Sequence, residues 1–175
     1  GPIITVLEVS EGTVGGTGTL RIRAQDIGGV VAQTSYATTI NRFNSNNQYQ
    51  RNETVNYGQG NRFSSQEQEF SVTIPNQASE GQYSIVFTAT DGEGNETQFT
   101  ATGNLRLAVV DRNAPDQVSI NSVPSQLDTG GNRSVRVTAR DVSSGIATLR
   151  LVASELNQTL THNCNNDRVC THTFA

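Results

Sequence analysis

The chain has 175 residues, room for one or two ordinary domains, with 12 basic residues against 16 acidic ones and a net charge near −4. That balance offers no basic stripe for nucleic acid, which is not an expected partner. No apolar run approaches the ~18 residues of a membrane span, so direct membrane insertion is not expected either. All the basic residues are Arg, and Lys, Trp and Met are absent. Apolar residues make up 34% and charged ones only 16%. Thr, Ser, Asn, Gln and Gly fill the gap, as they do on the polar faces and turns of antiparallel sheets.

Gly1-Pro2 matches the dipeptide that a common fusion-tag protease leaves behind and reads as a cloning scar. Ile4 and Val6, extended by Val9, give a first strand. Leu20, Ile22 and Ala24 alternate with Arg21, Arg23 and Gln25, one face buried and the other solvated. Val30 to Ile40 reads as a third strand, and Asn41 to Glu69 as a long polar loop. Phe70, Val72 and Ile74 alternate up to Pro75. Tyr83, Ile85, Phe87 and Ala89 come next, ending in the turn Asp91-Gly92-Glu93-Gly94-Asn95. Phe99 to Val110 is expected as one long, interrupted strand. No segment carries helical periodicity.

After Asp111-Arg112-Asn113-Ala114-Pro115-Asp116 the pattern restarts. Val118 and Ile120 make a new first strand, and Val135, Val137 and Ala139 the next. Arg21-Ile22-Arg23-Ala24-Gln25-Asp26 answers Arg136-Val137-Thr138-Ala139-Arg140-Asp141 at an offset of 115. Repetition of this kind points to tandem modules. The expected fold is all-β, two immunoglobulin-like antiparallel sandwiches over 1–113 and 114–175. Aligned on the repeat, the second module stops two strands short, so it is expected to be incomplete and part of a longer parent.

Gly81-Gln82-Tyr83 leading to Ala89-Thr90-Asp91 and then Gly94-Asn95 resembles the penultimate strand of bacterial immunoglobulin-like (Big-type) repeat domains. The turn Asp141-Val142-Ser143-Ser144-Gly145-Ile146 resembles another recurring element of those modules. The resemblance implies a spacer, stalk or adhesive unit of a secreted or surface-anchored protein, with neighbouring domains as its first partners. Val109-Val110-Asp111-Arg112-Asn113-Ala114-Pro115 also resembles part of the calcium linker between cadherin repeats, without that family's second Asp-Asn pair before the Pro.

Three sets of residues are candidates for sites. Cys164 and Cys170 bracket a short polar loop and are expected to form a disulfide, which places the parent at the cell surface or outside the cell. His162 and His172 would complete a four-ligand zinc set, but all four sit in one short segment, unlike the paired spacings of zinc modules. Calcium, the one cofactor considered further, would draw on Asp91, Glu93, Asp111, Asn113 and Asp116 if the turn and the linker meet at one end of the first module. Tyr49, Arg51, Tyr57, Arg62 and Phe63, set among Asn, Gln and Ser in the 41–69 segment, are candidates for binding a glycan or a surface protein. The alternative for that segment is a solvent-facing hairpin turning at Gly58-Gln59-Gly60, with its aromatics packed on the sheet. Four Asn-x-Ser/Thr sequons begin at Asn52, Asn95, Asn132 and Asn157, as chance allows in so polar a chain. No nucleophile motif such as Gly-x-Ser-x-Gly occurs, and no enzyme is expected. The expected function is therefore structural or adhesive. The alternatives are a ligand-binding module, and a filament subunit completed by a neighbour's strand.

Overall fold

The computed structural model describes residues 1–43, 48–58, 65–122 and 134–175. It divides into two compact units, Gly1–Asp111 and Arg112–Ala175, a boundary two residues earlier than the expected one. Among the described residues no helix is long and apolar enough to cross a membrane.

Among its described residues unit 1 carries ten strands: β1 (Ile3–Val9), β2 (Gly12–Thr13), β3 (Thr17–Gln25), β4 (Val31–Asn41), β5 (Gln48–Asn56), β6 (Ser65–Thr73), β7 (Gly81–Tyr83), β8 (Ile85–Asp91), β9 (Glu96–Ala101) and β10 (Leu107–Val110). One sheet has the order β1-β3-β6 and the facing sheet β5-β4-β8-β9, while β2 and β7 flank β10. This is immunoglobulin-like connectivity, with the first, second and fifth strands of that fold on one side and the third, its edge partner and the last two on the other. The period-two pattern decides which face is buried. Leu20, Ile22 and Ala24 of β3 and Ile85, Phe87 and Ala89 of β8 are all fully buried. Tyr36 meets Phe70 edge-on between the sheets, ring centroids 5.0 Å apart.

Two expectations need correcting in unit 1. The 41–69 segment is not a long loop. Residues 48–56 form β5, paired with β4 from Gln33↔Asn56 to Asn41↔Gln48, and β6 starts at Ser65, pairing with β3. Nor do β5 and β6 make the alternative hairpin, since they lie in different sheets. The second correction concerns 99–110, where a 3-10 turn at Gly103–Leu105 splits the expected strand. Gly103 has φ +57, a left-handed conformation that glycine adopts without steric cost. The turn moves the chain from β8's edge to a place beside β7.

Unit 2 has β11 (Gln117–Ser122), β12 (Val135–Arg140), β13 (Ile146–Ala153), β14 (Gln158–Asp167) and β15 (Val169–Phe174), in sheets β11-β12-β15 and β13-β14. The repeat seen in the sequence returns in the pairing. Ile4↔Ala24 and Val6↔Ile22 in unit 1 answer Val118↔Ala139 and Ile120↔Val137 in unit 2, and each first strand shifts register at the next step. By this correspondence β11, β12, β13, β14 and β15 match β1, β3, β4, β5 and β6. No counterpart of β8 or β9 occurs among the described residues of unit 2. Ile4 is 8% exposed in unit 1, whereas its counterpart Val118 is 66% exposed and Ile120 59%. The small core of unit 2 gathers Ala139, Ile146, Leu149, Cys164, Cys170 and Phe174.

Candidate functional sites

At one end of unit 1, Asp91 closes the β8–β9 turn. Its Oδ1 accepts the backbone N–H groups of Glu93 (2.9 Å) and Asn95 (2.8 Å), and its Oδ2 accepts the Asn95 side-chain amide (2.8 Å). The Asn95 amide, opposed by burial and helped by the two backbone donors, holds the Asp91 carboxyl below its ordinary range. Asp26 and Glu93 line the same shallow depression, together with Gly1. The N-terminal approach to β1 is therefore at this end.

Asp111 stands at the opposite end. β10 runs antiparallel to β7 with Val109 beside Gly81, and the Asp111 N–H donates to Glu80 Oε1 at 2.9 Å. From Gly81 to Asp91 the chain rises through β7 and β8, about 30 Å at strand spacing. Asn113 and Asp116 belong to unit 2, where Asp116 Oδ2 accepts the Val142 N–H at 2.9 Å. Within unit 1, Asp91 and Glu93 thus stand at the end opposite Asp111. The sequence shows that two acidic turns exist but not which end of a strand path each one occupies.

The proposed binding residues are placed differently from expectation. Along β5 the odd-numbered side chains, Tyr49, Arg51, Glu53 and Val55, turn inward, while Gln48, Gln50, Asn52, Thr54 and Asn56 face solvent. Tyr49, Val55 and Tyr57 pack on the core. The Tyr57 hydroxyl lies 3.0 Å from Thr34 Oγ1 and donates to Gln68 Oε1 at 3.4 Å, bridging the two sheets. Burial raises the Tyr36 hydroxyl pKa, and the Arg51 charge beside it offsets part of that rise. Tyr49, Arg51 and Tyr57 are therefore parts of a polar inner seam, with the two aromatics packed on the sheet as the alternative expects. Arg62 and Phe63 lie outside the described residues.

In unit 2, Cys164 of β14 and Cys170 of β15 form a disulfide, Cα atoms 5.8 Å apart, that ties the two sheets together. Strand alternation puts His162 on the same side as Cys164, and His172 on the same side as Cys170. The imidazoles of His162 and His172 stack with centroids 3.8 Å apart and planes 8° from parallel, and Phe174 meets His172 edge-on at 4.7 Å. Ligand atoms of His162, Cys164 and Cys170 lie within 4.8 Å of one another. Nearby, Asp141 Oδ1 accepts the N–H groups of Ser143 and Ser144, both at 3.0 Å, and its Oδ2 accepts the Ser144 hydroxyl at 3.1 Å. Arg168 donates to the carbonyls of Val142 and Ser143 and so ties the turn to the β14–β15 corner.

No family model matches the chain, and no curated protein does. Among solved structures, the CARDB domain of a Pyrococcus furiosus protein in complex with di-metal ions aligns over 62% of this chain and 89% of its own, at 22% identity and a TM-score of 0.33. Red sea bream transglutaminase aligns over 99% of this chain at 8% identity and the same TM-score of 0.33. This chain spans 26% of the transglutaminase's length. The sandwich assignment itself rests on the strand pairing described above.

The histidine stack is the feature that sequence reasoning discounts. Its signal is the mirrored pair His162-Asn163-Cys164 and Cys170-Thr171-His172. Segment length argues against a zinc module, but i, i+2 spacing on two strands that meet at a corner turns all four side chains to one place.

Proposed function

We propose that this chain is a non-catalytic spacer or adhesive segment of a larger secreted or cell-surface protein, with neighbouring domains as its main partners. The observation that carries the reading is the path of the chain through unit 1. It arrives beside the Asp91 turn and leaves at Asp111, about 30 Å away along β7 and β8. A module threaded end to end in this way holds its two neighbours along the chain apart. The repeated register of β1–β3 and β11–β12 supports serial use of one design. The Cys164–Cys170 disulfide fits an oxidising compartment. The outer face of β4 and β5, rich in Gln, Asn, Ser and Thr, supports a solvated flank.

A second reading, strand addition from a neighbour, is favoured by one observation. In unit 2 Val118 and Ile120 are exposed where unit 1 buries Ile4 and half-buries Val6, and β13 pairs with β14 alone among the described strands. A donated strand beside β13 would occupy the place that β8 takes beside β4. Light scattering across a concentration series, with and without calcium, separates the two. A constant monomer mass supports the spacer, and a mass that climbs with concentration supports strand addition. A calcium-dependent mass or melting temperature would support calcium binding.

A further inference from the structure

Among the described residues, His162, Cys164 and Cys170 form the one group of three or more His, Cys, Asp or Glu side chains whose ligand atoms converge. We propose that unit 2, once its disulfide is reduced, is a zinc-binding module in which Cys164, Cys170, His162 and His172 hold one Zn2+ tetrahedrally.

The donor set is the Cys2His2 combination of structural zinc sites. With Zn–S near 2.3 Å and Zn–N near 2.0 Å, the ligand atoms of a tetrahedral site stand about 3.3–3.8 Å apart. Three of the four already lie within 4.8 Å of one another. The Cα atoms of the cysteines, 5.8 Å apart, leave room for the two sulfurs to part around an ion without moving the strands. His172 stacks on His162 at 3.8 Å and stands two residues from Cys170 on the same side of β15. His172 is not among the three side chains whose ligand atoms converge, so its ring must turn out of the stack to bring a nitrogen to the ion. Both histidines are half-buried and both cysteines buried, so the site is partly shielded yet open to an ion from solvent.

The chemistry balances in two steps. A dithiol reductant attacks one cysteine sulfur, and its second thiol then resolves the mixed disulfide. The dithiol leaves as a cyclic disulfide, and Cys164 and Cys170 each gain a proton. Zn2+ next displaces those two protons to solvent, with no change of oxidation state. Disulfide and metal are thus alternative staples for the same pair of sheets.

The test uses the full chain, air-free, reduced with a phosphine, which takes up oxygen from water and is a poor zinc ligand. Titration with Co2+ is expected to give thiolate-to-cobalt charge-transfer bands and tetrahedral d–d bands that saturate at one ion per chain, and Zn2+ should bleach both. The oxidised chain should give neither. His162→Ala and His172→Ala should keep the oxidised chain folded, with its melting lowered by the lost stack at most, and weaken Zn2+ binding of the reduced chain about a hundredfold or more. If reduction unfolds unit 2, Zn2+ should restore its β-sheet circular dichroism. The proposal is overturned by uptake below one ion per chain, by spectra without thiolate bands, by histidine variants that bind as tightly as the parent, or by metal uptake that restores no sheet in an unfolded reduced chain.

Discussion

Asp141 and Asp91 show how single side chains set the turns of this fold. At Asp141 burial pushes the carboxyl pKa up, but the donors of Ser144 and Ser143 outweigh it, and the net shift is downward. Asp91 is likewise lowered. Both groups are thus more acidic folded than unfolded. Their stabilisation is complete above the unfolded value, about 3.9, and is lost as pH falls through the folded values. Denaturant midpoints should therefore hold steady from pH 7 to 5 and fall below about pH 4, with a shallower fall for Asp141→Asn. Asp141→Ala, which leaves the Ser143 and Ser144 amides without their acceptor, should cost about 1–3 kcal/mol in urea unfolding at pH 7. Gly145 in the same turn has φ +81, and a Cβ there would land on the Asn166 carbonyl oxygen. Gly145→Ala should destabilise unit 2 by more than about 1 kcal/mol, measured the same way.

Among the strands, legibility tracks the contrast between the two faces. β3, β8 and the second half of β6 alternate apolar with polar residues and are readable, because water and core select opposite residues at successive positions. β5 hides because its inner face is Tyr49, Arg51, Glu53 and Val55, a half-polar set that satisfies an open sandwich edge. β14 hides for a related reason, since Gln158 to Thr161 are exposed on both faces and only His162 and Cys164 turn inward. Tyr49 and Arg51 read as loop residues because β5 is hidden, and sequence order does not say that Asp91 and Asp111 fall at opposite ends of unit 1. Phe70, opposite Tyr36, is the element-level test of the core. Phe70→Ala should cost unit 1 about 3–5 kcal/mol, read from its denaturation midpoint.

At the scale of the whole molecule, the two units have separate cores, and unit 2's is the smaller. A covalent tie matters more where little apolar surface is buried. Replacing both Cys164 and Cys170 by Ser removes a closure worth about 2–2.5 kcal/mol by loop entropy. Calorimetry in metal-free buffer should show the transition of unit 2 move down while that of unit 1 stays in place.

The short parallel pair β2–β10 has a consequence for how unit 1 would bear tension. Gly12 and Thr13 lie alongside Val109 and Val110, and the Val14 N–H donates to the Val110 carbonyl at 3.0 Å. Because the path through unit 1 runs from one end to the other, tension applied across the unit would drag β2 and β10 in opposite directions along their shared axis. Their hydrogen bonds are then loaded together in shear and cannot open one after another like a zipper. Such a clamp raises the barrier to forced unfolding, which depends on unfolding rate and not on equilibrium stability. A module held this way would keep its length under a pull that strips strands paired at a free edge.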